Sequence, residues 1–168
     1  QADAARRFTE LGAGRGLDVN VAVSLLVDRD GLLWVGSREG LFRYDGYQAT
    51  AFLPDPERAD SISDQDVRAL HESADGALWV STNTGGLNRR DPQTGRFTQF
   101  HHVSADPRSL GNESVYGVAE DAEFVAVALA NGVAIHDVRK PKPKKDLHMF
   151  SGRIAEVDCP RIAVLGTD

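Results

Sequence analysis

The chain has 168 residues, 41% of them hydrophobic and 26% charged, the balance of a water-soluble globular domain with enough chain to bury a core. Its net charge of −6 speaks against nucleic acid or an anionic membrane as partner, because those surfaces recruit Lys and Arg. A single cysteine, Cys159, excludes an internal disulfide, and no apolar run nears the roughly 20 residues of a membrane helix, so no membrane insertion by this segment is expected. No charged-then-apolar signal opens the chain, so any export signal is expected to have been removed or never to have existed.

Phe8 to Leu11 alternates and reads as a short leading strand. Gly12, Gly14 and Gly16 follow. A phosphate loop would need a helix after them, and another strand follows instead, so they read as a flexible connection. Val21 to Val27 is the next strand and Leu33 to Gly36 the one after it. Between them Asp30-Gly31 is a hairpin signal, because Gly accepts the positive φ of a tight turn. The second strand is apolar on both faces, as in a sheet sandwiched between neighbours. Leu41 to Tyr44 and Gln48 to Phe52 complete a set of four.

A polar connector from Pro54 to Asp66 leads into a second set: Val67 to His71, Leu78 to Ser81, Leu87 to Arg90 and Phe97 to Phe100. Asp75-Gly76 repeats the first turn, and Trp79 repeats Trp34 after 45 residues (79 − 34). Ser109-Leu110-Gly111-Asn112 repeats Ser61-Ile62-Ser63-Asp64 after 48 residues (109 − 61) and opens a third set with Val115 to Glu120. There the pattern weakens. Phe124 to Leu129 keeps strand character but lacks the Trp and the Asp-Gly turn. Asn131-Gly132 turns into a strand over Val133 to Val138, and Leu147 to Phe150 stands where Phe97 to Phe100 stood. Gly152 to Val157 and Arg161 to Gly166 read as the start of a fourth set.

A repeat of roughly 40–50 residues with four short strands per unit points to an all-β fold, a partial β-propeller of four-stranded antiparallel blades. The expected division is 1–16 leading strand and connector, 17–53 blade, 54–103 blade, 104–150 divergent blade and 151–168 incomplete blade. Three to three and a half blades leave apolar sheet faces in water, so completion by self-association or by further blades is expected.

The repeated residues resemble two-component regulator propeller repeats. The shared pattern is Asp30-Gly31 through Asp45, Ser61 through Phe100, and Asp106 through Asp121, so the resemblance covers about residues 1–122. Residues 123–168 resemble a generic propeller segment, and a join near Glu123-Phe124 (a chimera) fits that departure. The resemblance implies the periplasmic sensor region of a bacterial hybrid histidine kinase. Some members of that family respond to oligosaccharide-type signals, and their propellers are followed by an immunoglobulin-like domain, a membrane helix and a kinase. The implied function is a non-enzymatic ligand-sensing module; the alternatives are an assembly or interaction scaffold without native ligand, and a hydrolase or lyase on a propeller.

The residue types that could carry chemistry read as structure. Trp34 and Trp79 could stack a sugar but suit inter-blade packing. Asp28, Asp30 and Asp75 supply too few oxygens for calcium and suit turns. His101 and His102 point to opposite faces if they lie on a strand, and no Cys adjoins them. Ser24 and Ser81 sit in no nucleophile elbow. Arg139 to Lys145 is a basic run without interleaved aromatics and reads as a solvated loop. No catalytic, metal or cofactor site is expected, and a ligand is expected to meet loops around the central channel.

Overall fold

The computed structural model describes residues 10–137 and 150–151. The chain meanders through β1 (Ala22–Val27), β2 (Leu33–Ser37), β3 (Leu41–Tyr44) and β4 (Ala49–Phe52). It then runs through β5 (Val67–Glu72), β6 (Leu78–Thr82), β7 (Leu87–Arg90) and β8 (Phe97–Phe100). A third pass holds β9 (Val115–Glu120), β10 (Phe124–Leu129), β11 (Gly132–Asp137) and β12 (Phe150–Ser151). Each pass is one antiparallel four-stranded sheet in sequential order, and the only helical element among the described residues is a 3-10 turn at Ala13–Arg15. The fold is a partial β-propeller. Of the leading segment, Phe8 and Thr9 lie outside the described residues, and Glu10 and Leu11 are in no strand.

Local chemistry explains the repeat. Gly31 and Gly76 take φ of 80° and 85° at matched turns, where an L side chain would be strained. The Asp28 carboxylate accepts the N–H groups of Asp30 and Leu32 at 3.0 and 2.9 Å, closing that turn. In the third sheet Asp121 does the same for Glu123 and Phe124, at 2.7 and 3.0 Å, across a turn that is one residue shorter.

The register aligns the three sheets residue by residue. Trp34 pairs with Leu26 and Arg43, Trp79 with His71 and Arg89, and Ala126 with Ala119 and Ile135. Ala126 therefore stands where the first two sheets carry Trp. The pairing Ile135↔Phe150 gives Phe150 the place of Thr98, two positions from the Phe100 equivalence read in the sequence. Trp79↔Arg89 and Arg89↔Thr98 fix that place in the second sheet. The Arg139 to Lys145 run, Cys159 and the strands read over Gly152 to Val157 and Arg161 to Gly166 lie outside the described residues.

Apolar side chains are buried between sheets. The first seam joins Trp34 and Leu41 of one sheet to Val67, Leu78, Val80 and Phe97 of the next. The second seam joins Trp79 and Leu87 to Val115, Val125, Val127 and Leu129. Each connector drives one aliphatic side chain into its seam, Ile62 into the first and Leu110 into the second. The far face of the first sheet, around Val35 and Phe42, is partly covered by Leu17 and Val19.

Inner strands β1, β5 and β9 lie against one another in series, so the sheets fan outward from a common side. Polar pairs cross at one end of each seam. Arg29 donates from Nε to Glu72 at 2.8 Å, and Glu120 accepts from Ser73 and lies 3.5 Å from His71 Nε2.

Candidate functional site

Each inner strand carries a β-bulge at its start. The register slips between Ala22 and Ser24, between Val67 and Ala69, and between Val115 and Gly117. A bulge re-aims the extra side chain. The three extra residues are Val23, Arg68 and Tyr116, separated by the same steps as the repeat itself. They present one residue per blade at the same rim.

Beside the first two lies a cleft of about 330 Å³ lined by Val23, Arg38, Asp66, Arg68 and Asn83. Arg38 follows β2 as Asn83 follows β6, so the lining is drawn from corresponding positions of two blades. The Arg68 guanidinium donates to Asn83 Oδ1, and its carbon lies 4.9 Å from the Tyr116 ring centroid in the third blade. Asn83 donates from Nδ2 to Asp66 Oδ2 at 2.8 Å, and its backbone N–H reaches the Asp66 carbonyl at 2.9 Å. Ser114 Oγ reaches Asn83 Oδ1 at 3.4 Å. Arg68 Nε has no hydrogen-bond partner among the described residues. The result is a fixed polar row, Asp66–Asn83–Arg68, whose guanidinium lies over the Tyr116 ring, and exposed Arg38 also lines the cleft.

This row differs from the residues that the sequence singled out. Trp34 and Trp79 are each 3% exposed and sit in the seams. Their surroundings match closely. Each indole N–H is bonded six residues back, to Asp28 Oδ2 at 2.8 Å and to Ser73 Oγ at 2.9 Å. Each lies 5.7 Å from a cross-strand guanidinium, Arg43 or Arg89, and each meets the Phe that ends the outer strand, Phe52 or Phe100. They are packing residues. Arg90 of the second blade also stacks on Trp34, at 5.2 Å; burial lowers its pKa, and the neighbouring Arg43 charge lowers it further.

Asp28 and Asp75 hold turns, the latter by accepting the Ala77 N–H at 3.0 Å. His101 pairs with Glu113 at 3.4 Å, and His102 Nδ1 bonds the Leu110 carbonyl at 2.6 Å, so both brace the connector into the third blade. Ser24 and Ser81 lie in the sheets with no hydroxyl partner among the described residues. Gly12 accepts the Arg15 N–H at 3.0 Å in the short 3-10 turn. Among the described residues no three His, Cys, Asp or Glu side chains gather as a metal site would need.

Sequence reasoning missed Arg38, Asp66, Arg68, Asn83 and Tyr116. The available signal was positional: 23, 68 and 116 occupy one repeat offset and differ in residue type while their neighbours stay alike.

A fan of consecutive four-stranded meanders with a rim cleft defines part of a β-propeller, and comparison with known proteins agrees. The two component regulator propeller model matches residues 16–39 and 61–84, so the chain carries repeats of that kind. No curated protein matches the chain in sequence. The extracellular domain of a hybrid two component system from B. thetaiotaomicron superposes with a TM-score of 0.77 at 21% identity, over 92% of this chain and 21% of that one. A second such domain from the same organism gives 0.63 at 23% identity, over 85% and 21%. Virginiamycin B lyase from Staphylococcus aureus gives 0.52 at 17% identity, over 76% of this chain and 40% of the enzyme. The chain spans about a fifth of the length of the two sensor-system structures. The lyase shows that a related fold can house an enzyme, so fold alone does not assign the chemistry.

Proposed function

We propose that this chain is part of an extracytoplasmic propeller that senses by binding a small ligand and does no catalysis. The observation that carries the reading is the rim cleft, where bulges and loops from successive blades set a polar row beside an aromatic ring. Convergence of a few fixed polar groups on a concavity is the usual form of a small-molecule site, and about 330 Å³ suits one or two sugar rings. The regulator-propeller repeats and the likeness to extracellular domains of two component systems support a periplasmic sensor. The carboxylate of the cleft, Asp66, is bonded to Asn83, and the described histidine–glutamate pairs brace a seam and a connector, which supports binding over acid–base chemistry.

A glycan array probed with the full chain tests this. The expected result is retention of at least one oligosaccharide and its loss on Asn83→Ala. Retention unaffected by Asn83→Ala, or no retention at all, would contradict it.

A second reading, an assembly scaffold, is favoured by the uncovered apolar residues Leu25 and Val27 on β1. They mark a face for another blade, supplied by a second copy or by further sequence.

A further inference from the structure

We infer that the first seam holds a small free oxyanion, phosphate or sulfate, between the guanidinium groups of Arg43 and Arg90. Neither residue lines the rim cleft, so the inference stands apart from the binding reading above. Arg43 on β3 and Arg90 on β7 reach the same aromatic wall from two sheets. Arg43 lies 5.7 and 5.8 Å from the Trp34 and Phe52 ring centroids, and Arg90 lies 5.2 and 5.6 Å from them. Two half-buried cations therefore share one patch, where water screens them less than on an open surface.

The protein does not answer these charges with bonds. Neither guanidinium donates a hydrogen bond to an acceptor among the described residues, and Arg90 Nε is buried without a partner. The carboxylates in electrostatic reach are Asp28 and Asp91 for Arg90, and Asp45 for Arg43. All three are committed to turns. Asp28 accepts from the Trp34 indole and the Asp30 and Leu32 N–H groups. Asp45 accepts from Tyr47 and Gln48, and Asp91 from Gln93 and Thr94. Their charges temper the site, but the guanidinium N–H groups remain without an acceptor.

The second seam shows the same positions neutralised. There Arg89 takes the place of Arg43, stacks on Trp79 at 5.7 Å and is paired with Asp75. His136 takes the place of Arg90, opposite Val125 as Arg90 is opposite Leu78. The first seam instead has two arginines and no bonded carboxylate. An oxyanion supplies what is missing: separate oxygens that accept paired N–H groups from a guanidinium fork. Chloride has no such set of acceptor atoms. An anion shared by the two forks ties the first blade to the second.

The test is calorimetry on the full chain with inorganic phosphate and, separately, sulfate, at an ionic strength held constant with chloride. The expected result is saturable binding of one anion per chain for at least one of the two. Arg43→Gln and Arg90→Gln should each weaken it about tenfold or more, and Arg89→Gln should leave it unchanged. Arg43→Lys keeps the charge and the apolar stem but loses the fork; it should also bind more weakly, and it serves if Arg90→Gln does not fold. A second readout locates the anion. The chain has two tryptophans, so emission from Trp79→Phe protein reports Trp34 alone, and it should change over the same anion range. Absence of saturable binding, binding that survives Arg43→Gln, equal loss in Arg89→Gln, or Trp34 emission indifferent to the bound anion would each overturn the inference. A heat that never saturates, alike in wild type and variants, is a salt effect only and overturns it too.

Discussion

Leu25 and Leu70 hold the same position in consecutive inner strands, opposite Val35 and Val80, yet Leu70 packs in the first seam while Leu25 is 66% exposed. Val118, opposite Val127, repeats the packed arrangement in the second seam. The difference lies in what covers each residue, because the strands themselves are alike. Two of these three positions are sealed by the preceding sheet. Leu17 and Val19 cover only part of the corresponding face of the first sheet.

The matched indoles should matter equally to stability. Trp34→Ala and Trp79→Ala should each lower unfolding free energy by about 3–5 kcal/mol, the usual cost of emptying a large aromatic site. Trp79→Phe should cost less but measurably, because it keeps a ring while removing the bond to Ser73. Urea unfolding followed by circular dichroism checks this; an unchanged midpoint for Trp79→Ala would contradict the packing role.

The connector residues Ile62 and Leu110 are each 1% exposed and plug successive seams. Ile62→Ala and Leu110→Ala should each cost about 2–5 kcal/mol in the same measurement. A loss below about 0.5 kcal/mol, the usual range for a surface change, would show that the connectors do not seal the blades.

Gly86 has φ of 74°, and a Cβ there would run into the Phe100 carbonyl and come within 2.7 Å of Glu113 Oε2. Its own N–H donates to the Glu113 carbonyl at 2.9 Å, so the clash falls on the junction of the second and third blades. Gly86→Ala should therefore destabilise by more than the roughly 1 kcal/mol of an ordinary substitution. A melting temperature equal to wild type would refute the close approach.

Asp64 gives a pH dependence of known sign. Burial pushes its carboxyl up, but N–H donation from Thr84 and Asp66 and the Thr84 hydroxyl outweigh that and hold its pKa below the ordinary value. A folded pKa below the unfolded one means the stabilisation is present above the unfolded value, about 3.9, and is lost as pH falls through the folded value. Thermal melts from pH 6 down to pH 2 should show that loss, and Asp64→Asn should flatten it. An Asp64→Asn profile parallel to wild type would contradict the assignment.

The fold was legible because its signals are local and repeated. Asp30-Gly31 and Asp75-Gly76 announce turns, Trp34 and Trp79 announce equivalent strands, and Ile62 with Leu110 marks the connectors. The rim was not legible. Arg68 and Tyr116 read as ordinary strand residues until the bulge places them, and a bulge is a property of pairing register, which alternation does not encode. Buried Asn88 was hidden for a related reason. Its partner is Ser63, 25 residues away on the connector, and only the assembled blade brings them to 3.0 Å.

The sheets of this chain bury their faces against neighbouring sheets, and on the scaffold reading the exposed Leu25 face receives another blade. Light scattering of the full chain in solution tests this most directly. The predicted result is a mass above that of one chain, falling to a single chain when Leu25→Glu and Val27→Glu are combined. A compact, stable wild-type monomer, unchanged by those substitutions, would contradict it.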